Sequence, residues 1–141
     1  MKDKSNQTKS GFTLIELLTT MTIIAVLAGL ALVSLQGARK SARDGKRKAD
    51  LEQIRSALEM CRSDTGSYPA GPLYSGQNIS CGVPAQTYLQ IPADPLPDRR
   101  YYYNRLSPTS YELCAALEVG GSTVCPANSC TVNCNFRLTN P

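Results

Sequence analysis

The stretch of sequence that decides the fold is residues 11–37, GFTLIELLTTMTIIAVLAGLALVSLQG. Its only formal charge is Glu16, and residues 17–36 are twenty consecutive uncharged residues. At about 1.5 Å per residue, a helix of that length spans the roughly 30 Å hydrocarbon core of a bilayer. A cleaved secretory signal has a shorter apolar region, of about 7 to 15 residues. The stretch therefore predicts a helix that can cross a membrane.

A second helical segment follows over residues 38–63, which contain no proline and one glycine. Its apolar residues recur at steps of three and four, at Leu51, Ile54, Leu58 and Cys61. That period indicates an amphipathic helix whose apolar face packs on a sheet. A glycine at position 66 and a proline at position 69 mark its end. Together the segments predict one helix over residues 12–63, roughly 78 Å long if unbroken.

Residues 64–141 predict a small globular head. Three segments enriched in aromatic and β-branched residues predict antiparallel strands, at residues 100–104, 110–118 and 131–138. The proline-rich residues 68–98 predict a long loop with one helical turn near residues 85–89. The expected fold class is α+β: a long N-terminal helix, hydrophobic in its first half and amphipathic in its second, packed on a small antiparallel sheet of about three strands.

All six cysteines lie on the C-terminal side of the apolar stretch, at Cys61, Cys81, Cys114, Cys125, Cys130 and Cys134. An even number in a small head indicates disulfides, and therefore an oxidising compartment. A zinc site built from the last four cysteines is the alternative, but their spacing includes no Cys-x-x-Cys pair. We therefore expect a disulfide-stapled head.

The disulfide pairing expected from chain position joins Cys61 to Cys81, Cys114 to Cys134, and Cys125 to Cys130. Cys61 lies at the end of the helix, and Cys81 lies in the loop that returns over it. Cys125 and Cys130 flank a compact turn, which leaves Cys114 and Cys134 on two predicted strands. Six cysteines allow fifteen complete pairings, so the sequence leaves the others open.

The composition disfavours an enzyme. The chain has no histidine, which removes the usual general base at neutral pH and the commonest metal ligand. The sequence also lacks a glycine-rich phosphate loop and a nucleophile motif. The net charge of +4 falls to +2 without the first ten residues, which hold three lysines and one aspartate. We expect no enzymatic activity, no cofactor and no metal, and the net charge gives no argument for an acidic partner.

A basic run follows the apolar stretch, with six Lys and Arg residues between positions 39 and 48 and only Asp44 opposing them. Such a run can attract nucleic acid or anionic lipid. It contains no aromatic residue to stack on bases, which favours a solvated helix face and an interfacial anchor. The positive-inside rule would hold this flank in the cytoplasm, whereas the cysteines argue for export.

The start of the apolar stretch carries a family resemblance. A short basic leader ends at Gly11, Phe12 follows, and Glu16 comes four residues later, in KSGFTLIELL (residues 9–18). This pattern resembles the processing motif of type IV pilins and type II secretion pseudopilins. The resemblance implies that a prepilin peptidase cuts between Gly11 and Phe12, removes the leader (residues 1–11) and methylates the amine of Phe12. It also implies that Glu16 neutralises the N-terminal amine of a neighbouring subunit, which lowers the cost of burying both charges.

Two details qualify the resemblance. Many members of the family carry a proline part-way along the helix, but this chain has none before Pro69, so a proline kink is excluded. Some heads in the family bind calcium near the sheet, and Asp94 and Asp98 could supply oxygen ligands. Two carboxylates among prolines are more often a solvated turn.

The resemblance implies a structural subunit of a type IV pilus-like surface filament. Its precursor would cross the membrane once, with residues 12–37 as the assembly helix, residues 38–63 as the amphipathic helix and residues 64–141 as the head. It would then polymerise with copies of itself on a membrane assembly platform and extend from the cell surface as an extracellular pilus. A pseudopilin of a type II secretion or DNA-uptake system is the alternative within the family. A monomeric membrane-anchored binding protein or enzyme is the alternative from another class.

Overall fold

The computed structural model describes residues 11–140. The predicted leader therefore lies outside the described residues, apart from Gly11. The described chain contains one helix, α1 (Leu14–Thr65), followed by five strands. It divides into two compact units, residues 11–38 and residues 39–140, which are described separately.

The first unit is the apolar part of α1. Its threonine hydroxyls bond to backbone carbonyls of the same helix: Thr19 to Glu16, Thr20 to Leu17, and Thr22 to Thr19. These polar groups are thus satisfied without solvent. Within the described residues, α1 is the one helix long and apolar enough, by length and composition, to cross a membrane.

The second unit contains the rest of α1 and the head. The helix ends at Thr65, two residues later than predicted. Gly66 takes a positive φ of 75°, and its amide bonds to the Arg62 carbonyl at 2.7 Å. This left-handed residue closes the last turn, as the sequence predicted for Gly66.

The segment predicted as a loop contains a hairpin instead. Strands β1 (Asn78–Cys81) and β2 (Gln86–Gln90) pair antiparallel, so the helical turn expected near residues 85–89 is wrong. Ser80 and Thr87 lie opposite each other and share a hydroxyl hydrogen bond of 2.8 Å. Such cross-strand pairs stabilise short strands whose composition alone predicts a strand only weakly.

The predicted three-stranded sheet is confirmed. It consists of β3 (Tyr102–Ser107), β4 (Ser110–Ala115) and β5 (Phe136–Thr139), antiparallel and in the order β3-β4-β5. The last two strands are shorter than predicted, because residues 116–135 form a loop closed by disulfides.

The core of the second unit lies between α1 and the strands. Leu51, Ile54 and Leu58 are buried on the predicted face of the helix. Burying each of these side chains contributes about 1.5 to 3 kcal/mol. The remaining core is rich in tyrosine, with Tyr68, Tyr101, Tyr103 and Tyr111 buried beside them.

The disulfides agree with the expected pairing at one of three bridges. Cys61 and Cys81 are joined, with Cα atoms 5.5 Å apart. The other two predicted bridges are wrong, because Cys114 pairs with Cys125 and Cys130 pairs with Cys134. Cys114 lies opposite Arg137 in the sheet register, so it does not have Cys134 as its cross-strand neighbour.

Candidate functional site

The start of α1 is organised by Thr13 and Glu16. The Glu16 carboxylate accepts hydrogen bonds from the backbone N–H and the hydroxyl of Thr13, both at 2.8 Å. The Thr13 hydroxyl in turn accepts the backbone N–H of Glu16 at 3.3 Å. This reciprocal pattern is a capping box, which satisfies two N–H groups at the helix start. Gly11 and Phe12 lie just before the helix, both exposed.

The apolar side chains of the first unit have no cover within residues 11–140. They are between 45% and 90% exposed, with Phe12 the most exposed. The members of this surface are Phe12, Leu14, Ile15, Leu17, Leu18, Met21, Ile23, Ile24, Val26, Leu27, Leu30, Leu32, Val33 and Leu35. A continuous apolar surface of this size is stable only against lipid or another apolar surface.

The most highly charged interior of the head surrounds Arg47. Its side chain is 0% exposed. Its guanidinium contacts Asp94 through Nε and Nη2, at 2.8 and 2.9 Å, and it contacts Asp44 and Glu118 through Nη1, at 2.8 and 3.1 Å. Arg43 adds a bidentate pair to Glu118, at 2.5 and 2.6 Å. We call these five residues the Arg47 cluster.

The Arg47 cluster fastens two loops of the head to α1. Asp44 also accepts the backbone N–H groups of Glu118 and Val119, each at 2.9 Å at the closest. Asp94 accepts the N–H of Leu96 at 2.8 Å. The cluster has three carboxylates and only two guanidinium groups. The backbone N–H donors compensate the one negative charge that the arginines do not balance.

Electrostatics in the Arg47 cluster favour its ionised form. The hydrogen bonds from Arg43, and next those from Arg47, lower the pKa of Glu118 from its usual 4.5 to about 2. Glu118 is therefore charged throughout the physiological pH range, as the two arginines require.

A layer of tyrosines lies deeper in the head. Tyr68 and Tyr111 meet edge to face with ring centroids 4.6 Å apart, and both hydroxyls donate to Glu59. Tyr101 donates to Asp50 at 2.6 Å. Burial raises the pKa of Tyr103 to about 12, and burial together with Asp50 raises the pKa of Tyr101 further. These phenols stay protonated and act as donors inside the core.

Comparison with known proteins supports the N-terminal assignment. A family profile described as the prokaryotic N-terminal methylation motif matches residues 6–32. The type II secretion system core protein G of Klebsiella michiganensis is 31% identical over 96 residues, covering 68% of this chain and 60% of that protein. The protein of the same name from Escherichia coli K12 is 30% identical over 91 residues, covering 64% of this chain and 60% of its own.

The chain belongs to the type IV pilin and pseudopilin family. A further relative, the core protein G of Pectobacterium carotovorum, is 34% identical over 67 residues, covering 48% of this chain and 43% of that protein. The chain thus aligns with about half of the length of these curated relatives. No solved structure matches it.

This pilin-family head offers no open metal site among its described residues. Asp94, considered above as a possible calcium ligand, gives both carboxylate oxygens to Arg47, and Asp98 is exposed. Glu112 lies near Cys114 and Cys125, but those two sulfurs form a disulfide. The zinc alternative fails for the same reason, since it needs thiolates and all the described cysteines are paired.

Sequence reasoning missed the Arg47 cluster in this pilin-family chain. The basic run was expected to be a solvated face, yet Arg47 is wholly buried and Arg43 is partly so. A signal was present, because Arg43 and Arg47 continue the spacing of three and four that leads to Leu51 and Ile54. The helical spacing does not predict their acidic partners in the head, because those residues lie outside the helix.

Proposed function

We propose that this chain is a pseudopilin, a structural subunit of the short filament of a type II secretion system. The observation that carries this proposal is the exposed apolar surface of the first unit. Copies of the chain bury that surface against one another in the filament, and lipid covers it in the membrane-anchored precursor. The role is structural and not enzymatic.

Two features favour the secretion filament over a long surface pilus. The relatives reported above are named as type II secretion system proteins. The similarity to the Klebsiella michiganensis protein extends over 96 residues, whereas the methylation profile matches only residues 6–32. The likeness therefore includes part of the head as well as the processing motif. A long extracellular pilus is the alternative.

The proposed life cycle begins with a precursor anchored by α1. A prepilin peptidase cuts between Gly11 and Phe12, where the chain is exposed and not yet helical, and the amine of Phe12 is methylated. Glu16 then neutralises the amine of an adjacent subunit as the helices pack on an assembly platform. The disulfide-bonded head remains on the oxidising side of the membrane.

Processing is tested by coexpression with a prepilin peptidase and mass spectrometry of the intact chain. The expected product begins with methylated Phe12, and Gly11→Val should remain uncut. Gly29→Ala is the matched control, since a Cβ there meets no atom within 4 Å, and it should be processed normally. A mature chain that begins at Lys2 or Ser10 contradicts the cleavage site.

The kind of filament is tested by deletion of the gene and by electron microscopy. Deletion should stop secretion of folded exoproteins, and overexpression should give short filaments. Secretion that is unchanged by deletion, together with long surface filaments in the parent strain, would establish the pilus instead. A processed chain that never forms filaments would favour the membrane-anchored monomer.

A further inference from the structure

One edge of the head's main sheet is uncovered. β3 is an outer strand and is paired only with β4. In an antiparallel pair, alternate residues direct their N–H and C=O groups to the free side. No backbone hydrogen bond among residues 11–140 occupies that side between Tyr102 and Arg105. The edge of β3 therefore has peptide groups available for another strand.

A groove runs along this edge. Its first part has a volume of about 280 Å³ and lies between Gly71 and Pro72 on one side and residues 102–105 on the other. A second cleft of about 90 Å³ continues from Pro72 past Tyr74 and Arg100. Both clefts include Pro72 and Tyr102, so together they form one groove beside β3.

The loop that forms the far wall of the groove is fixed in place. The Tyr103 hydroxyl donates to the Pro69 carbonyl at 2.8 Å. Leu73 packs against the core, and the Tyr74 N–H bonds to the side chain of Gln77 at 3.0 Å. A groove with preformed walls binds a ligand with little loss of conformational entropy.

Two arginines along the groove lack acidic partners. Arg100 and Arg105 each donate through Nε to a backbone carbonyl, of Ser129 and Ser107 respectively, at 3.2 Å. Neither forms an ion pair within the part of the chain that the structure describes. In extended chain, their five-residue separation corresponds to roughly 17 Å, at about 3.3 Å per residue. Two carboxylates five residues apart on an added strand match that spacing.

We propose that the groove binds an extended, acidic segment of a partner protein as an added strand on β3. The segment pairs its peptide groups with the free edge, and its carboxylates bind Arg100 and Arg105. Backbone pairing supplies affinity, while the two arginines fix the position and direction of the segment. This binding requires only the folded head, so it does not depend on the kind of filament that the chain forms.

A defined peptide tests this binding. The probe is acetyl-Glu-Thr-Val-Thr-Val-Asp-amide, titrated into the isotope-labelled full chain in detergent micelles and followed by NMR and amide exchange. The amides of residues 102–105 should shift, and those that face the free side of β3 should become protected. The double variant Arg100→Ala, Arg105→Ala should weaken binding about tenfold or more. Arg137→Ala removes one charge on the opposite edge strand β5 and should leave the affinity unchanged.

A second peptide separates strand pairing from simple charge attraction. It carries the same side chains but is N-methylated at alternate backbone amides, so it cannot complete a ladder. It should fail to bind. Equal binding of both peptides, an equal loss in Arg137→Ala, or no binding to the wild-type chain overturns the proposal. The proposal is also overturned if dextran sulfate displaces the peptide and the bound peptide has not protected the β3 amides from exchange. That result would assign the groove to acidic polysaccharide.

Discussion

Arg47 joins α1 to two loops of the head, through Asp94 and Glu118. Its guanidinium is fully buried and contacts three carboxylates. Replacing it leaves those carboxylates without that counterion at a site shielded from solvent. We predict that Arg47→Met lowers the free energy of unfolding by about 3 to 5 kcal/mol, measured by urea denaturation in detergent. Arg55→Met, which removes a partly exposed pair of 3.6 Å with Glu52, should cost under about 1 kcal/mol.

Glu118 makes the stability of the head depend on acid pH. Its folded pKa of about 2 lies below its usual 4.5, so protons bind more tightly to the unfolded chain. Its contribution is therefore complete above pH 4.5 and is lost as the pH falls through 2. Glu118→Gln should flatten this part of a stability profile recorded from pH 6 to pH 2. The exposed Glu52→Gln should not, and identical profiles for all three proteins would contradict the assignment.

Glu16 has two separable roles, because its side chain caps the helix within one chain and is proposed to meet an amine in the filament. Glu16→Gln preserves a capping box, since glutamine also accepts the Thr13 N–H, but it carries no charge. Glu16→Ala removes both functions. If charge governs assembly, both variants should be processed normally and yield few filaments, counted by electron microscopy. Normal assembly by Glu16→Gln would reduce the role of Glu16 to capping.

The loop over residues 116–135 is the element whose covalent structure the sequence left most open. We predict Cys114–Cys125 and Cys130–Cys134 bridges in the mature protein. Collisional backbone fragmentation of the unreduced peptide, which leaves disulfides largely intact, distinguishes them from the expected pairing. Backbone cleavage between residues 126 and 129 should separate Cys125 from the closed ring of Cys130 and Cys134. In the expected pairing, a Cys125–Cys130 bridge would hold those fragments together.

Elements whose signal is local could be predicted, and elements fixed by distant contacts could not. The apolar run and the spacing of Leu51, Ile54 and Leu58 define α1 directly from the sequence. The β1–β2 hairpin was not predicted because each strand has only four or five residues and gains its stability from pairing. The pairing of Asp94 and Glu118 with Arg47 could not be predicted, because these contacts span 47 and 71 residues of sequence.

At the scale of the whole molecule, the second unit, which includes the end of α1, has a core of its own. Every buried side chain among the described residues lies at Asp44 or beyond, within the second unit. We predict that a fragment of residues 39–141, exported to the periplasm, is soluble and monomeric and forms all three disulfides. Its unfolding temperature should equal that of the head in the full chain within about 3 °C, measured by circular dichroism. An aggregated fragment would show that the head needs residues 12–38.

The Arg47 cluster bears on the export proposed for this chain. Arg43 and Arg47 precede their head partners by 47 to 75 residues, so these two cations lack those partners until the head folds. When the head folds, Asp94 and Glu118 pair with two of the six cations of the basic run, and one of the two, Arg47, becomes fully buried. Backward sliding would then have to separate these ion pairs and unfold the core. In the proposed export, folding of the head would therefore oppose its return across the membrane.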